Sequence, residues 1–452
     1  MSDRGGRYPL AVTHRAPTTP RWPRKRRSSA LEHEVSPLSS GPTTAHRLRP
    51  MSGRDPHEEH RQVTPLELLY DLTFVVAFGQ AASQLAHLLA EGHYSAGLIG
   101  FGFATFGICW AWINFSWFAS AYDTDDWAFR LATMVQMIGV IILALGLPQV
   151  FRSLDEGDHI DNGISVAGYV VMRVAMLFLW LRAARQDPPR RHACQTYALT
   201  IGVAQVGWVL LVLADLTIEV FFMWAALGVL VEMIGPVIAE RGKGGTPWHA
   251  HHIVERYGLL TIITLGEGVI GTVASLSAVV ESQGWSRDAV LVAIAGTGLT
   301  FGLWWMYFIV PSAEVLHVHR ERVFPWGYGH ILIFGSIAAT GAGLHVAADY
   351  IGHEAHIGAT ATVLTVAVPV AVFVLALFAL YTYLVHATDP FHLTLLAGTA
   401  AVLVLAVALA AIGAQMAVCL VVLMLAPLVT VVGYETIGHG HMVIAVQHTL
   451  AE

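Results

Sequence analysis

This sequence is poor in charged residues. Asp, Glu, Lys and Arg together make up 13% of its 452 residues, whereas a soluble domain usually carries about a quarter. Hydrophobic residues make up 55% of the chain, and the mean hydropathy is +0.59. These values exclude an ordinary soluble domain and indicate a protein whose main partner is the lipid bilayer.

Cysteines are also scarce, and Lys and Arg are scarce outside the N-terminal part of the chain. The three cysteines, Cys109, Cys194 and Cys419, lie in or beside apolar segments without CxxC spacing, which argues against disulfides and a zinc site. The stretches HAHH and HGH lack the spacing of a closed metal site. Twelve of the 25 Lys and Arg residues lie within residues 1–61, so the rest of the chain is almost bare of cations. We therefore expect no cofactor, no metal centre and no nucleic-acid partner.

Long apolar stretches recur from Thr64 onward, each about 20 residues long, as a helix needs to cross ~30 Å of hydrocarbon. Only Ile412, Gly413 and Ala414 separate the last two stretches, so eleven spans are the alternative to twelve. The predicted fold class is an all-α, polytopic helical membrane bundle. The twelve predicted spans lie near 65–90, 95–121, 127–150, 164–184, 193–213, 216–238, 253–280, 288–311, 325–350, 358–384, 391–412 and 414–434.

Arg and Lys are concentrated in alternate loops. The loops at 182–192, 239–252 and 312–324 hold clusters of them, whereas the intervening loops carry at most one Arg. The positive-inside rule places such basic loops in the cytoplasm. An even number of spans then predicts a multi-pass protein of the plasma (inner) membrane with both termini cytoplasmic.

The two ends of the chain differ from the apolar middle. Residues 1–62 are rich in Pro, Ser and Arg without an apolar period, which predicts a disordered basic tail. An alternative is that translation starts at Met51 and the preceding residues are not part of the protein. Residues 435–452 are predicted to form a cytoplasmic tail.

A weak internal repeat appears within the apolar region. ELLYDLTF (67–74) aligns with ERYGLLTI (255–262), and FGICW aligns with FGLWW at a similar offset. This pattern predicts two six-helix halves, 63–246 and 247–434, related as parallel repeats because each half crosses the membrane an even number of times.

The segment TPLELLYDLTF (64–74) opens the first span with two carboxylates, Glu67 and Asp71. The letters TPLE fit an N-cap threonine, a proline at the first helical position and an acid at the third, so a capping box accounts for Glu67. Asp71 lies one turn deeper and needs a partner or an aqueous cavity. Arg130, at the start of the third span, is one candidate partner.

Three further ionisable residues lie well inside apolar spans: Arg173, Glu232 and Glu267. An isolated charge there costs at least ~2.5–3.5 kcal/mol on insertion scales, so pairing or water is expected. Counting from the span ends puts Arg173 and Glu267 near the midplane and predicts a contact between them, direct or through water. This pair is either a transport site or a structural ion pair that fixes helix register.

Glycines flank Glu267 in the segment LGEGVIG (265–271). They allow a second helix or a substrate to approach closely, either as a broken-helix element that lines a transport site or as tight packing alone. Glu255 and Arg256 at the inner surface are secondary candidates. His330 begins the ninth span, where it lies at headgroup level or acts as a proton relay.

Four segments carry a family resemblance: ELLYDLTFVVA (67–77), YDTDDWAFRL (122–131), ERYGLLTIITLGEGVI (255–270) and LWWMYF (303–308). Together they resemble the bacterial low temperature requirement protein A family, from Thr64 to about Leu344. The resemblance implies a polytopic inner-membrane protein named for a growth phenotype in the cold, without a settled biochemical activity. That family often has an acid after WWxYF, where this sequence has Ile309.

Three function classes remain open. A secondary transporter or ion-conducting protein with an Arg/Glu site, moving an unknown small solute or ion such as protons, accounts for the spans and the buried charges. A membrane sensor or organising protein would produce a cold-growth phenotype without flux. An intramembrane enzyme is disfavoured because no HExxH, GxSxG, P-loop or GxGxxG pattern occurs in a credible context.

Overall fold

A computed structural model describes residues 48–58, 61–242, 245–386 and 389–451. These residues form helices joined by short loops, with no β-strand among them. Twelve of the helical segments are long and apolar enough to cross a membrane. The predicted fold class and the predicted count of twelve are thus confirmed.

The described helices begin and end within a few residues of the predicted spans. Two short helices, α9 and α14, extend the eighth and twelfth spans. In chain order the helices are α1 (Pro65–Glu91), α2 (Tyr94–Tyr122), α3 (Trp127–Glu156), α4 (Gly163–Gln186), α5 (Arg191–Leu213), α6 (Ile218–Arg241), α7 (Ala250–Gln283), α8 (Arg287–Phe308), α9 (Ser312–Val318), α10 (Val323–Ile351), α11 (Ala359–Val385), α12 (Pro390–Ala411), α13 (Met416–Gly433) and α14 (His439–Ala451).

The start of α1 confirms the predicted capping box. The Thr64 side chain accepts a hydrogen bond from the Glu67 backbone N–H at 3.3 Å, and the Glu67 carboxylate accepts one from the Thr64 backbone N–H at 2.7 Å. Pro65 occupies the first helical position, where its missing N–H is harmless. At the other end, Gly92 adopts a left-handed conformation with φ of 86° that closes the helix.

Helices α1, α7 and α10 pack against one another at the centre of the bundle. The α7–α10 contact requires glycine, because a side chain on Gly341 would lie 2.6 Å from the backbone carbonyl carbon of Glu267. At the periphery, α6 packs mainly on α5. Its outward side chains, such as the 62% exposed Met223, are suited to lipid.

Buried hydrophobic side chains form two clusters. The larger one joins α1–α6 to the start of α7 and to part of α10, and the second joins α8 and α11–α13 to another part of α10. Helix α10 therefore contributes to both clusters. The division into halves at 246/247 stays a prediction.

The predicted disordered tail needs correction where the structure describes it. Residues 1–47 lie outside the described residues, but 48–58 and 61–62 pack on the bundle. The Met51 side chain is fully buried and its backbone N–H donates to Gln186 Oε1 at 2.7 Å. The Arg54 backbone N–H donates to the Ala121 carbonyl at 3.0 Å. The described part of this polar segment is held by acceptors that the helix ends supply.

The predicted cytoplasmic tail is helical in its described part. A π-helical turn at 434–438 leads from α13 into α14, which returns to α9 and α11. His319 Nε2 lies 2.7 Å from the Thr449 carbonyl, and His249 Nε2 lies 2.8 Å from the Glu58 carbonyl. Arg320 joins these two regions by donating to the Trp248 carbonyl at 2.9 Å. Both described ends of the chain therefore lie at one end of the bundle, here called the Pro65 end.

Candidate functional site

Buried charges gather around Arg256 at the Pro65 end of the α1–α7 interface. We define the Arg256 cluster as Arg61, Glu67, Asp71, His252 and Arg256. Arg256 Nη2 lies 2.5 Å from Asp71 Oδ1, and its Nη1 lies 3.1 Å from Glu67 Oε1. Glu67, Asp71 and Arg256 have no exposed surface. The guanidinium thus bridges two carboxylates and reduces the repulsion that their spacing along α1 would otherwise cause.

Further groups complete the cluster. His252 Nε2 lies 3.1 Å from Glu67 Oε1, and Arg61 Nη2 lies 3.6 Å from the same oxygen. Trp112 of α2 donates its indole N–H to Asp71 Oδ1 at 2.7 Å. These contacts correct the predicted partner of Asp71, which is Arg256 and not Arg130.

Asp123 lies at the outer edge of this cluster, just beyond α2. Its Oδ2 is 3.6 Å from Arg61 Nη2. Burial raises the pKa of Asp123 to about 6, with a further contribution from the charge of Glu67 that Arg61 only partly offsets. Burial also lowers the pKa of Arg61. Both side chains are therefore strongly desolvated, although they lie at the outer edge of the Arg256 cluster.

A second cluster surrounds Glu232 in the first six helices. We define the Glu232 cluster as Trp110, Tyr169, Arg173, Trp208 and Glu232, from helices α2, α4, α5 and α6. Arg173 Nη2 and the Trp110 indole N–H each lie 2.5 Å from Glu232 Oε2, and the Trp208 indole N–H donates to Oε1 at 3.0 Å. The Tyr169 hydroxyl donates to the same carboxylate at 3.0 Å. This carboxylate is saturated with donors.

The Glu232 cluster overturns the predicted contact between Arg173 and Glu267. Arg173 is 1% exposed, and its charge is met by Glu232. The position of Arg173 within its span gives its depth in the bilayer, which matches that of Glu267. Depth does not show which helices are neighbours. Helix α4 packs on α3 and α5, whereas α7 packs on α1, α8 and α10.

Glu267 stands apart from both clusters. Its side chain is 3% exposed, and none of the described residues offers it a hydrogen bond or a cation. Its Oε1 lies against α1, 3.1 Å from where a Cβ on Gly79 would be. Helix α7 is continuous through LGEGVIG, so the broken-helix interpretation is wrong. Gly271 packs against Gly341 of α10 instead.

The remaining candidates lie in varied surroundings. Arg130 is exposed and pairs with Asp125, with its Nε 2.8 Å from Asp125 Oδ1. Glu255 is exposed at the Pro65 end, as expected for a surface carboxylate. His330 is buried, which corrects its predicted place at headgroup level. Its Nδ1 donates to the Trp326 carbonyl at 2.7 Å, so its Nε2 accepts from Tyr307, whose hydroxyl is 3.1 Å away.

Several residues of these clusters were not singled out by the sequence. The sequence places Arg61 in the predicted tail and His252 in the His-rich stretch HAHH. A spacing of four residues between His252 and Arg256 was the available signal. Trp110 and Trp112 resemble ordinary apolar residues because a single indole N–H does not register in a hydropathy pattern. Within the described chain, no three His, Cys, Asp or Glu side chains are arranged to hold a metal ion.

The fold and the buried charges define a polytopic α-helical membrane protein. A family model described as "Bacterial low temperature requirement A protein (LtrA)" matches residues 62–427, so the chain belongs to this family. The match confirms the resemblance and extends it beyond Leu344. No curated protein and no solved structure matches the chain.

Proposed function

We propose that this protein is a secondary transporter or ion-conducting protein that moves protons, alone or with a small solute or ion. Glu267 is the residue that takes up and releases the proton. The observation that carries the proposal is the isolation of this carboxyl group between α1, α7 and α10, without a cation or donor among the described residues.

The contrast with the other buried carboxylates supports Glu267. Asp71 and Glu67 contact Arg256, and Glu232 contacts Arg173. An ionised carboxylate without such a partner is costly in an apolar surrounding. Glu267 therefore changes charge most easily by exchanging a proton when water reaches it, whereas the paired carboxylates have little reason to do so.

Proteoliposomes test the proposal directly. The purified protein is reconstituted into liposomes that enclose a pH-sensitive dye. A membrane potential is then imposed with a potassium ionophore. We expect dye acidification by the unmodified protein and at least a tenfold slower rate for Glu267→Gln. Glu255→Gln on the exposed face of the same helix is the matched control and should retain the rate.

Two results would contradict this proposal. An unchanged rate in Glu267→Gln would remove this residue from the pathway. The absence of any flux through the unmodified protein, with the potential verified by a voltage-sensitive dye, would exclude proton conduction. A screen of solute gradients against proton movement would then be needed to rule out coupled transport.

The proposed orientation places the Pro65 end in the cytoplasm, with both termini inside the cell. The clustered arginines of the 182–192 and 312–324 loops support it, since basic loops remain on the cytoplasmic side. Single cysteines at exposed positions, labelled with an impermeant maleimide in whole cells, would test this orientation. The proposed location is the plasma (inner) membrane.

A second candidate is a protein that organises the membrane or senses its state without flux. The Glu232 cluster supports it, because a carboxylate that accepts from the side chains of Trp110, Tyr169, Arg173 and Trp208 resembles a structural anchor more than an exchange site. Growth at low temperature would distinguish the candidates. Under this alternative, Glu267→Gln would restore a deletion strain fully, whereas disruption of Glu232 would not. Neither candidate is an enzyme.

A further inference from the structure

A groove opens at the Pro65 end between α6 and α10. Its volume is about 840 Å³. We call it the α6–α10 groove, and its rim and walls include Arg190, Arg241, Trp248, Arg320, Phe324 and Tyr328. It exists because α6 packs mainly on α5 and leaves a gap toward α10. The Tyr328 hydroxyl bridges that gap by donating to the Met233 carbonyl at 3.0 Å.

Three arginines from separate elements line the groove. The Arg320 guanidinium stacks on Trp248, with its central carbon 3.7 Å from the ring centroid. Arg190 Nη1 lies 3.2 Å from Asp187 Oδ2. Arg241 at the end of α6 is exposed and has no hydrogen bond or ion pair with the described residues. Its guanidinium donors are available to a ligand.

Two carboxylates also line the groove, and the charge of Glu240 acts on Arg320. Glu240 accepts hydrogen bonds from the hydroxyls of Tyr197 at 3.0 Å and Thr246 at 2.5 Å, and one from the Thr246 backbone N–H at 2.9 Å. Glu321 is 70% exposed and lies 3.8 Å from Arg322 Nε. Glu240 therefore holds the 245–248 loop in place by hydrogen bonds, and Glu321 is exposed to solvent.

The groove narrows toward the middle of the bundle into an aromatic slot. The slot shares Phe324 and Tyr328 with the groove, and its other walls include Ile113, Trp117 and Pro236. Its cavity volume is about 10 Å³, room for about one water molecule at most. The slot therefore closes the groove at its inner end, and a ligand would lie at the rim with three guanidinium groups.

We propose that the α6–α10 groove binds an anionic phospholipid, with its phosphate at the arginine rim and its acyl chains along the exposed apolar side of α6. Guanidinium groups match the geometry and charge of a phosphate. Basic pockets between transmembrane helices on the cytoplasmic side attract anionic headgroups. The exposed apolar side chains of α6, among them Ile234 and Ile238, offer the acyl chains a lipid-facing surface beside the rim. The inference does not depend on proton transport.

Native mass spectrometry of the detergent-purified protein tests the site. Phosphatidylglycerol and phosphatidylcholine of equal chain length are titrated in parallel, and bound copies are counted. We expect phosphatidylglycerol to bind at least tenfold more tightly than phosphatidylcholine. The double variant Arg241→Gln, Arg320→Gln should abolish that preference. Arg130→Gln, an exposed arginine at the same end, should keep it.

Thermal unfolding provides the control for folding. Arg241→Gln alone changes an exposed side chain, so its melting temperature without lipid should equal that of the unmodified protein while its lipid-induced rise is smaller. Equal lipid binding by the double variant, or equal loss in Arg130→Gln, would overturn the proposal. Inorganic phosphate or a dihexanoyl lipid binding as tightly as the long-chain lipid would overturn the assignment of a membrane lipid as the ligand.

Discussion

At the scale of single residues, the sequence posed a problem that Arg256 solves. Glu67 and Asp71 lie four residues apart on one face of α1, a spacing that opposes helix formation when both carry charge. Arg256 from α7 contacts both carboxylates at 3.1 Å and 2.5 Å. A cap alone accounts for the position of Glu67 but not for the burial of Asp71.

Replacement of Arg256 tests this arrangement. We expect Arg256→Gln to reduce the free energy of unfolding by about 3–5 kcal/mol, because it leaves the buried carboxylate of Asp71 without a cation and weakens the pairing of Glu67. Denaturant-induced unfolding in detergent, followed by tryptophan fluorescence, measures the loss. Arg130→Gln breaks an exposed pair and should have a far smaller effect. Equal effects of the two variants would show that Arg256 is not the central charge.

At the scale of secondary-structure elements, Asp126 joins the start of α3 to α4 and to the N-terminal segment. Its Oδ1 accepts from the Phe129 backbone N–H at 2.9 Å and from Arg182 Nη1 at 3.0 Å. Its Oδ2 accepts from the Arg49 backbone N–H at 3.1 Å. Burial raises the pKa of Asp126, but these hydrogen bonds, that of Arg182 above all, lower it to about 2.

This pKa predicts an acid-dependent contribution to stability. The unfolded chain has an aspartate pKa of about 3.9, so it binds more protons than the folded protein between pH 4 and pH 2. The contribution is complete above about pH 4 and is lost as the pH falls toward 2. Asp126→Asn should therefore be less stable at pH 7, and its difference from the unmodified protein should shrink across that interval.

Asp125→Asn is the matched control for Asp126. Asp125 has a positive φ of 47°, which asparagine tolerates as well as aspartate does. Among the described residues its carboxylate pairs with the exposed Arg130 alone, so the pH dependence of unfolding should stay close to that of the unmodified protein. A difference between Asp126→Asn and the unmodified protein that stays constant from pH 7 to pH 2 would contradict the assignment.

At the scale of the whole molecule, both described ends of the chain close the same end of the bundle. The N-terminal segment places the buried Met51 and Arg61 against the helices, and α14 reaches His319 through Thr449. Arg61 also covers the outer side of the Arg256 cluster, 3.6 Å from Glu67. This segment therefore belongs to the folded unit, whichever methionine begins it.

Truncation at two positions tests that conclusion. A chain that begins at Met51 should retain most of the stability of the full chain, although it lacks Arg49. A chain that begins at Thr64 behind an added methionine should lose at least about 2 kcal/mol, because a fully buried methionine alone contributes ~1.5–3 kcal/mol. Unfolding of both proteins in the same detergent provides the comparison. Equal free energies of unfolding for the chains that begin at Met51 and at Thr64 would show that residues 51–63 do not contribute to stability.

The sequence by itself determined the features that depend on neighbours along the chain. The twelve spans follow from length and hydropathy, and the capping box at Thr64 follows from four adjacent letters. The burial of Asp71, Arg173, Glu232 and Glu267 also follows, because each lies inside an apolar stretch that must cross the bilayer.

Only the tertiary structure decided which of these charges meet. Position along a span gives the depth of Arg173 but not its lateral neighbours, so Glu267 and Glu232 were both compatible with it. The neighbours depend on which helix faces approach, and small residues decide that. A side chain on Gly139 would lie 2.7 Å from the Gly168 carbonyl between α3 and α4, and Gly341 has the same role between α7 and α10. Contacts between distant segments set these pairings, whereas hydropathy and capping are local.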